Sequence, residues 1–530
     1  RVMRKLVHQV VDEWASRIPD YIPESVLART EMVDLGWALR QLHKPENWDY
    51  LSYARERLAF DELLTLQLGV LARRREWQSV PGIQLDVDDT WLNDFAASLP
   101  YELTAAQVRV VESIREDVSR DIPMNRLLQG DVGSGKTVVA AMALGMAVKN
   151  NHQAAIMAPT SILAEQHYHS IQQILSQVPG FENIAIRLLT GSTNENDREA
   201  IYTALEAGEI DILVGTHALI QQRVNFADLA LAVIDEQHRF GVDQRGALRG
   251  KGTNPHVLVM TATPIPRTLA LTMFADLDLS VLDEMPPGRT PIKTRLLFVA
   301  ERNRAHHFIA RQLEQGRQAF VVYPLIESSD QTESMAAIDA YEDLQTSVFM
   351  DFTVGLLHGR LPASEKEAVM KAFAEGELDV LISTSVIEVG INVPNASVML
   401  IEGANRFGLA QLHQLRGRVG RGEHESYCLL LADTDNPTAV KRLEAVEENT
   451  DGFALAELDW QLRGAGDLLG TRQAGLPPIR MESAMEPRLV ELAQQESRAI
   501  FAEDPGFDLP EYALLAKRIE QLQQQNTDIS

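Results

Sequence analysis

The chain has 530 residues, 45% of them apolar, with 75 Asp or Glu against 49 Lys or Arg and a formal net charge of -26. No apolar run reaches the roughly 18 residues that a membrane-spanning helix needs. The single cysteine, Cys428, excludes an intrachain disulfide, and no Cys/His cluster has zinc spacing. A reducing, cytoplasmic setting with no membrane partner fits best. The acidic balance argues against a uniformly basic nucleic-acid binder, yet the charge is unevenly placed. Between Gly403 and Gly422 stand four arginines (Arg406, Arg416, Arg418, Arg421) and no acid, whereas residues 476–530 hold five basic and ten acidic residues.

In chain order, residues 1–97 read as a helical linker segment, because Val7, Val11, Trp14 and Ile18, and later Leu64, Leu68 and Leu71, recur at helical spacing. The chain opens on Arg1 rather than Met, with no charged-then-apolar leader, so the natural N-terminus is expected to lie upstream. From 98 to 290 short apolar strands alternate with helices, as at Ala154–Met157, Asp211–Val214, Leu231–Ile234 and Val257–Met260. That is the pattern of a parallel sheet covered by helices. Residues 291–435 repeat it with Ala319–Tyr323, Val354–Leu357, Val380–Ile382, Val398–Ile401 and Tyr427–Leu431. Pro286, Pro287, Gly288 and Pro291 make a stiff hinge between the two series. Residues 436–475 are helical and then Gly-rich, and 476–530 form a polar, Gln-rich helical tail.

The string Gly130-Asp131-Val132-Gly133-Ser134-Gly135-Lys136-Thr137 fits G-x-x-x-x-G-K-T between an apolar stretch and a helix. Glycines there let backbone N–H groups turn inward on phosphates, at the positive end of a helix. Lys136 would neutralise the β- and γ-phosphates of ATP, and the Thr137 hydroxyl would bind Mg2+. A glycine turn without a ligand is the bland alternative, and the complete strand–loop–helix context disfavours it. About a hundred residues on, an apolar strand ends in Asp235-Glu236-Gln237-His238. Asp235 suits the Mg2+ contact and Glu236 activation of the attacking water.

Charge that builds on the transferred phosphoryl group needs cations opposite the loop. Gln414-Leu415-Arg416-Gly417-Arg418-Val419-Gly420-Arg421 offers them from the second half. Arg418 and Arg421, three apart, are expected on one helix face. Surface salt bridges or phosphate contacts on DNA are the alternative uses of that cluster.

With these motifs in place the chain resembles helicase superfamily 2, in order along most of its length. The resemblance implies two tandem RecA-like lobes, 98–290 binding ATP and 291–435 completing the cleft. It makes Gln107, in Leu103-Thr104-Ala105-Ala106-Gln107, an adenine contact. It gives Thr160 of Met157-Ala158-Pro159-Thr160, Thr216 of Gly215-Thr216-His217, and Thr384 roles on the nucleic-acid backbone. Thr261 and Thr263 of Thr261-Ala262-Thr263-Pro264 would couple ATP to strand movement.

Three longer strings, Asp235–Val242, Thr261–Ala270 and Gly408–Arg418, resemble RecG-type DNA translocases and their nearest relatives, the Mfd type. Ser134 and Gln237 place the chain nearer the RecG type, and Gln237 joins the catalytic set. Asp459–Gly475 resembles the translocation hairpin and loop of both, which implies coupling roles for Arg463, Arg472 and Gln473. Ala465 replaces the usual proline, and Asn392 the usual aspartate. The family fold also implies an oligonucleotide-fold wedge before the motor, which this chain is expected to lack.

The resulting expectation is an ATP-dependent translocase on branched double-stranded DNA, monomeric, nucleoid-associated, and a partner of single-strand-binding protein. It should hydrolyse ATP and track duplex while unwinding forks poorly. An Mfd-like motor, a superfamily 2 RNA helicase and a non-catalytic DNA-binding scaffold are the competing readings.

Overall fold

The computed structural model describes residues 2–235, 248, 250–263, 277–286, 291–324, 330–384, 393–422, 424–463 and 486–527. It opens on helices α1 (Val2–Trp14), α2 (Glu24–Thr30), α3 (Leu35–His43) and α4 (Trp48–Gln78). Asp34 and Asn47 start α3 and α4 by accepting the N–H of Trp37 and Tyr50. Helix α1 buries no residue, and Trp14 and Ile18 stay exposed. The helical spacing read there is real, but the described residues provide no core for it.

The first lobe contains α5 (Asp89–Ser98), α6 (Ala105–Val118), β1 (Asn125–Gly130), α7 (Lys136–Lys149), β2 (Gln153–Met157), α8 (Ser161–Leu175), β3 (Ile186–Leu189), α9 (Glu195–Glu206), β4 (Ile212–Gly215), β5 (Leu229–Asp235), β6 (His256–Thr261) and β7 (Asp278–Leu282). Its strands run parallel in the order β3-β4-β2-β5-β6-β1-β7. Every residue of β2, β5 and β6 is buried, because helices cover both faces and leave no side for polar alternation. Leu85, Val87 and Phe95 join this core ahead of the first strand.

The second lobe has β8 (Lys293–Phe298), α10 (Arg302–Leu313), β9 (Gln318–Val322), α11 (Asp330–Thr346), β10 (Val354–Leu357), α12 (Ala363–Ala374), β11 (Val380–Ser383), β12 (Ala396–Ile401), α13 (Leu409–Arg416) and β13 (Tyr427–Ala432). These strands are again parallel, in the order β10-β11-β9-β12-β13-β8. The expected α/β class with two tandem RecA-like sheets is therefore what forms.

Helices α14 (Pro437–Glu448) and α15 (Gly452–Arg463) follow, then α16 (Pro487–Glu503) and α17 (Ala513–Thr527). The last two return to the first part of the chain. Phe60, Leu63, Leu64 and Leu68 of α4 share one core with Leu489, Val490, Ala493 and Ile500 of α16 and with Leu515 and Ile519 of α17. The two ends of the chain thus close one helical unit. Among the described residues no helix is long and apolar enough to cross a membrane. Pro287 and Gly288 of the expected hinge, and the loop 464–475, lie outside the described residues.

Candidate functional site

Strand β1 delivers the chain to Gly130 at the C-terminal edge of the first sheet, and α7 begins six residues later at Lys136. Gly133 and Gly135 between them have φ of +84° and +85°, the left-handed region that strains any residue with a Cβ. A Cβ on Gly135 would also run into the Gln107 amide. Gly135 caps α7 without a side-chain acceptor, so the first N–H groups of the helix face the loop, where they suit an anion. Lys136 Nζ donates to the carbonyls of Gly130 and Asp131, 2.9 Å each. Thr137 lies half-buried in the first turn. Gln107 is tied to the same loop: its Nε2 donates to Ser134 O at 2.9 Å, and its Oε1 accepts Thr104 N–H at 2.9 Å.

Asp235 is the last residue of β5, and His167 of α8 places Nε2 2.7 Å from its Oδ2. Glu236 and Gln237 fall outside the described residues. Among the described residues no group of three or more His, Cys, Asp or Glu could hold a metal ion. Asp235 and Thr137 are oxygen-bearing residues of the kind a hard divalent cation takes one or two at a time, with phosphate and water completing its shell.

The second lobe reaches this loop through α13. His413 Nε2 lies 2.6 Å from Asp131 Oδ1, which also accepts Val132 N–H at 2.6 Å. Burial acts to raise the Asp131 pKa, but the His413 and Val132 hydrogen bonds and nearby Lys136 outweigh it, leaving the carboxyl below its ordinary range. Arg416 donates to His413 Nδ1 at 2.7 Å. Gln414 Nε2 donates to Thr263 Oγ1 at 2.9 Å, a second bond across the lobes. Gly417 lies so close that a Cβ there would be 2.8 Å from Val132 Cβ.

Arg418 and Arg421 do not share a helix face as expected. Helix α13 ends at Arg416, Gly417 is its C-cap, and Gly420 turns the chain at φ +76°. Arg418 is buried beyond that end, and Arg421 Nε donates to Gly417 O at 3.3 Å.

The threonines expected at nucleic acid follow C-terminal strand ends: Thr160 after β2, Thr216 after β4, Thr261 and Thr263 at β6, and Thr384 after β11. In parallel sheets these ends share one edge, where ligands of such folds bind. Thr160 caps α8 by accepting Leu163 N–H at 3.4 Å, and Thr261 Oγ1 accepts Thr263 N–H at 3.1 Å. The hydroxyls of Thr216 and Thr384 are buried with no hydrogen-bond partner among the described residues. Arg463 closes α15 with its side chain outside the described set, and Arg472 and Gln473 lie outside it altogether. The sequence assigns no role to His167, nor to His413 and Gln414 within the Gly408–Arg418 string. Their partners are 68, 282 and 151 residues away, a distance at which a lone side chain gives no local signal.

Models described as DEAD/DEAH box helicase and helicase conserved C-terminal domain match residues 104–272 and 300–423. A third, ATP-dependent DNA helicase RecG, domain 3, C-terminal, matches residues 449–530. The ATP-dependent DNA helicase RecG of Bacillus subtilis is 46% identical over 97% of this chain and 75% of its own length. The chain belongs to the RecG family. The RecG of Synechocystis sp. is 48% identical over 96% of this chain, which spans 61% of that relative. A solved RecG bound to a three-way DNA junction superposes with a TM-score of 0.77 at 43% identity, covering 93% of this chain and 64% of that one. Mss116p bound to single-stranded RNA shares only the fold, at a TM-score of 0.52 and 18% identity, over 68% of this chain and 76% of that one.

Proposed function

We propose that this chain is the ATP-driven motor of a RecG-type translocase on double-stranded DNA, acting at branched structures such as stalled forks and Holliday junctions. The observation that carries the reading is the meeting of α13 with the phosphate loop, which sets lobe 2 against the site where lobe 1 would hold phosphate. The solved relative, a RecG bound to a three-way DNA junction, supports the branched substrate.

ATP, when bound with Mg2+, supplies the phosphoryl group whose transfer to water drives the cycle. On this chain, the N–H groups of Gly133 to Thr137 and the Lys136 ammonium bind its phosphates, with Lys136 leaving the carbonyls it now holds. Asp131, Val132 and Gly130 shape the loop, and Gln107, the adenine contact on this reading, also ties the loop down through Ser134 O. The Thr137 hydroxyl would bind Mg2+ directly, and Asp235 would hold it through water. Glu236 takes the proton of the attacking water and Gln237 orients it, while Arg418 and Arg421 balance the charge that develops. Thr160, Thr216 and Thr384 hold the DNA backbone without reading sequence, Thr261 and Thr263 couple ATP to strand movement, and Arg463, Arg472 and Gln473 convert lobe movement into a step along the duplex. The working form on this reading is a monomer on the bacterial nucleoid, with single-strand-binding protein as a partner.

The test is ATP-dependent displacement of a third strand from a triplex carried on linear duplex DNA. The proposal expects displacement with ATP and Mg2+, none with Lys136→Ala, and tighter binding to a three-way junction than to linear duplex. Displacement that needs no nucleotide would contradict it.

A further inference from the structure

Strand β5 is tied at both ends by a histidine and an aspartate, and the two ties are not alike. At its start His152 Nδ1 lies 2.6 Å from Asp228 Oδ2, with the side chains 23% and 50% exposed. Water screens such a pair, and losing it costs little. At its end His167 Nε2 lies 2.7 Å from Asp235 Oδ2, with the side chains 9% and 10% exposed. A carboxylate only accepts, so Nε2 carries the proton and donates it to Asp235. That bond is charge-assisted and shielded from water.

The packing of α8 calls for an apolar residue at position 167. Leu163, Ala164, Ile171 and Leu175 are the other buried residues of this helix, and with His167 they recur at the spacing of one helix face. A leucine would continue that face at no polar cost, whereas a buried imidazole is unfavourable unless it is hydrogen-bonded. His256 of β6 shows what a structural histidine does in the same lobe. Its Nδ1 accepts Met124 N–H at 2.9 Å and its Nε2 donates to Ile83 O at 2.6 Å, so both partners are backbone and lie where β6 begins. His167 instead takes a side-chain carboxylate, at the sheet edge where ligands bind. The carboxyl of an aspartate turns readily about its last bond. A bond from a ring that is itself packed into the core removes that freedom.

We infer that His167 is a positioning residue for Asp235, whose carboxylate it fixes, through the Nε2–H bond, in the orientation that would hold Mg2+ before nucleotide arrives. The inference rests on the ATP-motor reading, which gives Asp235 that task. His167 acts through Asp235 alone and touches neither nucleotide nor reacting atoms. Its effect therefore falls on the cation and not on the phosphates, which Lys136 and the loop hold.

The test is a titration of this chain with Mn2+, a paramagnetic stand-in for Mg2+, at saturating ADP, with free Mn2+ read by electron paramagnetic resonance. His167→Leu continues the apolar face and removes the donor. His167→Gln keeps an N–H where Nε2 now stands, and His152→Leu removes the comparable bond at the far end of β5. The Mn2+ dissociation constant should rise about 10–100-fold in His167→Leu, the scale of losing a partner that orients a metal-binding group, and stay within about twofold of wild type in the other two. Binding of a fluorescent ADP with all metal chelated should match wild type in all three variants. Unchanged Mn2+ affinity in His167→Leu would overturn the inference, as would His167→Gln behaving like His167→Leu. Loss of metal-free ADP binding in His167→Leu would overturn it too, because the histidine would then support the whole loop. An equal loss of Mn2+ affinity in His152→Leu would do the same, by showing that any weakening of β5 suffices. A wild-type chain that takes up no Mn2+ with ADP would instead sink the ATP-motor reading, an outcome seen before any variant is made.

Discussion

The two lobes have one architecture and different furniture at the same edge of the sheet. In lobe 1 the strand β1 opens into a glycine-rich loop with two left-handed glycines and a lysine at the start of α7. In lobe 2 no strand leads into a Gly-Lys-Thr turn. In the described part of that edge α13 instead presents His413 and Gln414 to the partner lobe. The fold alone therefore binds nothing. One copy has the backbone geometry that suits phosphate, and the other lays side chains against that loop and the strand end beside it.

The largest way to break this asymmetry is to remove the lysine. Lys136→Ala should lower ATP turnover by roughly 10²–10³-fold, the scale of losing one preorganised charge-stabilising donor, as read by phosphate release. Retained turnover would mean that the loop is not the working site.

A smaller pair of changes compares the lobes directly. Gly135→Ala forces a side chain into the left-handed region and onto the Gln107 amide. At Gly376 in lobe 2, φ is +79° and a Cβ would meet open space. Gly376→Ala should cost about 1 kcal/mol of stability in thermal unfolding and leave nucleotide affinity alone. Gly135→Ala should weaken binding of a fluorescent ATP analogue by at least about tenfold, since strain and collision act together there. Equal effects on affinity would erase the distinction.

The smallest effect is one of pH. Asp131 has a depressed pKa, so its contribution is fully present above the unfolded value of about 3.9 and is lost as pH falls through the lower folded value. Thermal stability of wild type should exceed that of Asp131→Asn by a steady margin from neutrality to about pH 4, and the margin should close below it. A margin that already closes near neutral pH would show that the carboxylate is not held as described.

Much of this was legible in the sequence, for identifiable reasons. The phosphate loop is contiguous, and the central strands β2, β5, β6, β9 and β12 are apolar runs because both faces are covered. Strands β3, β7 and β8 carry a weaker signal. Each stands at the edge of its sheet, where exposed positions such as Arg187 in β3 and Lys293 in β8 interrupt the apolar pattern. The closure of α4 on α16 and α17 depends on residues some 430 apart, such as Gln67 and Ser497, and no local pattern announces it. The partners of His167 and His413 are hidden for the same reason. The end of α13 at Arg416 was misjudged because i,i+3 spacing suggested a helix that Gly417 and Gly420 in fact stop.

The most direct test of the central claim is ATP hydrolysis by this chain with no nucleic acid, linear duplex, single strand, a model fork and RNA. The account predicts strong stimulation by duplex and forked DNA, all of it absent in Lys136→Ala. Stimulation by RNA alone, or hydrolysis that Lys136→Ala leaves intact, would contradict it.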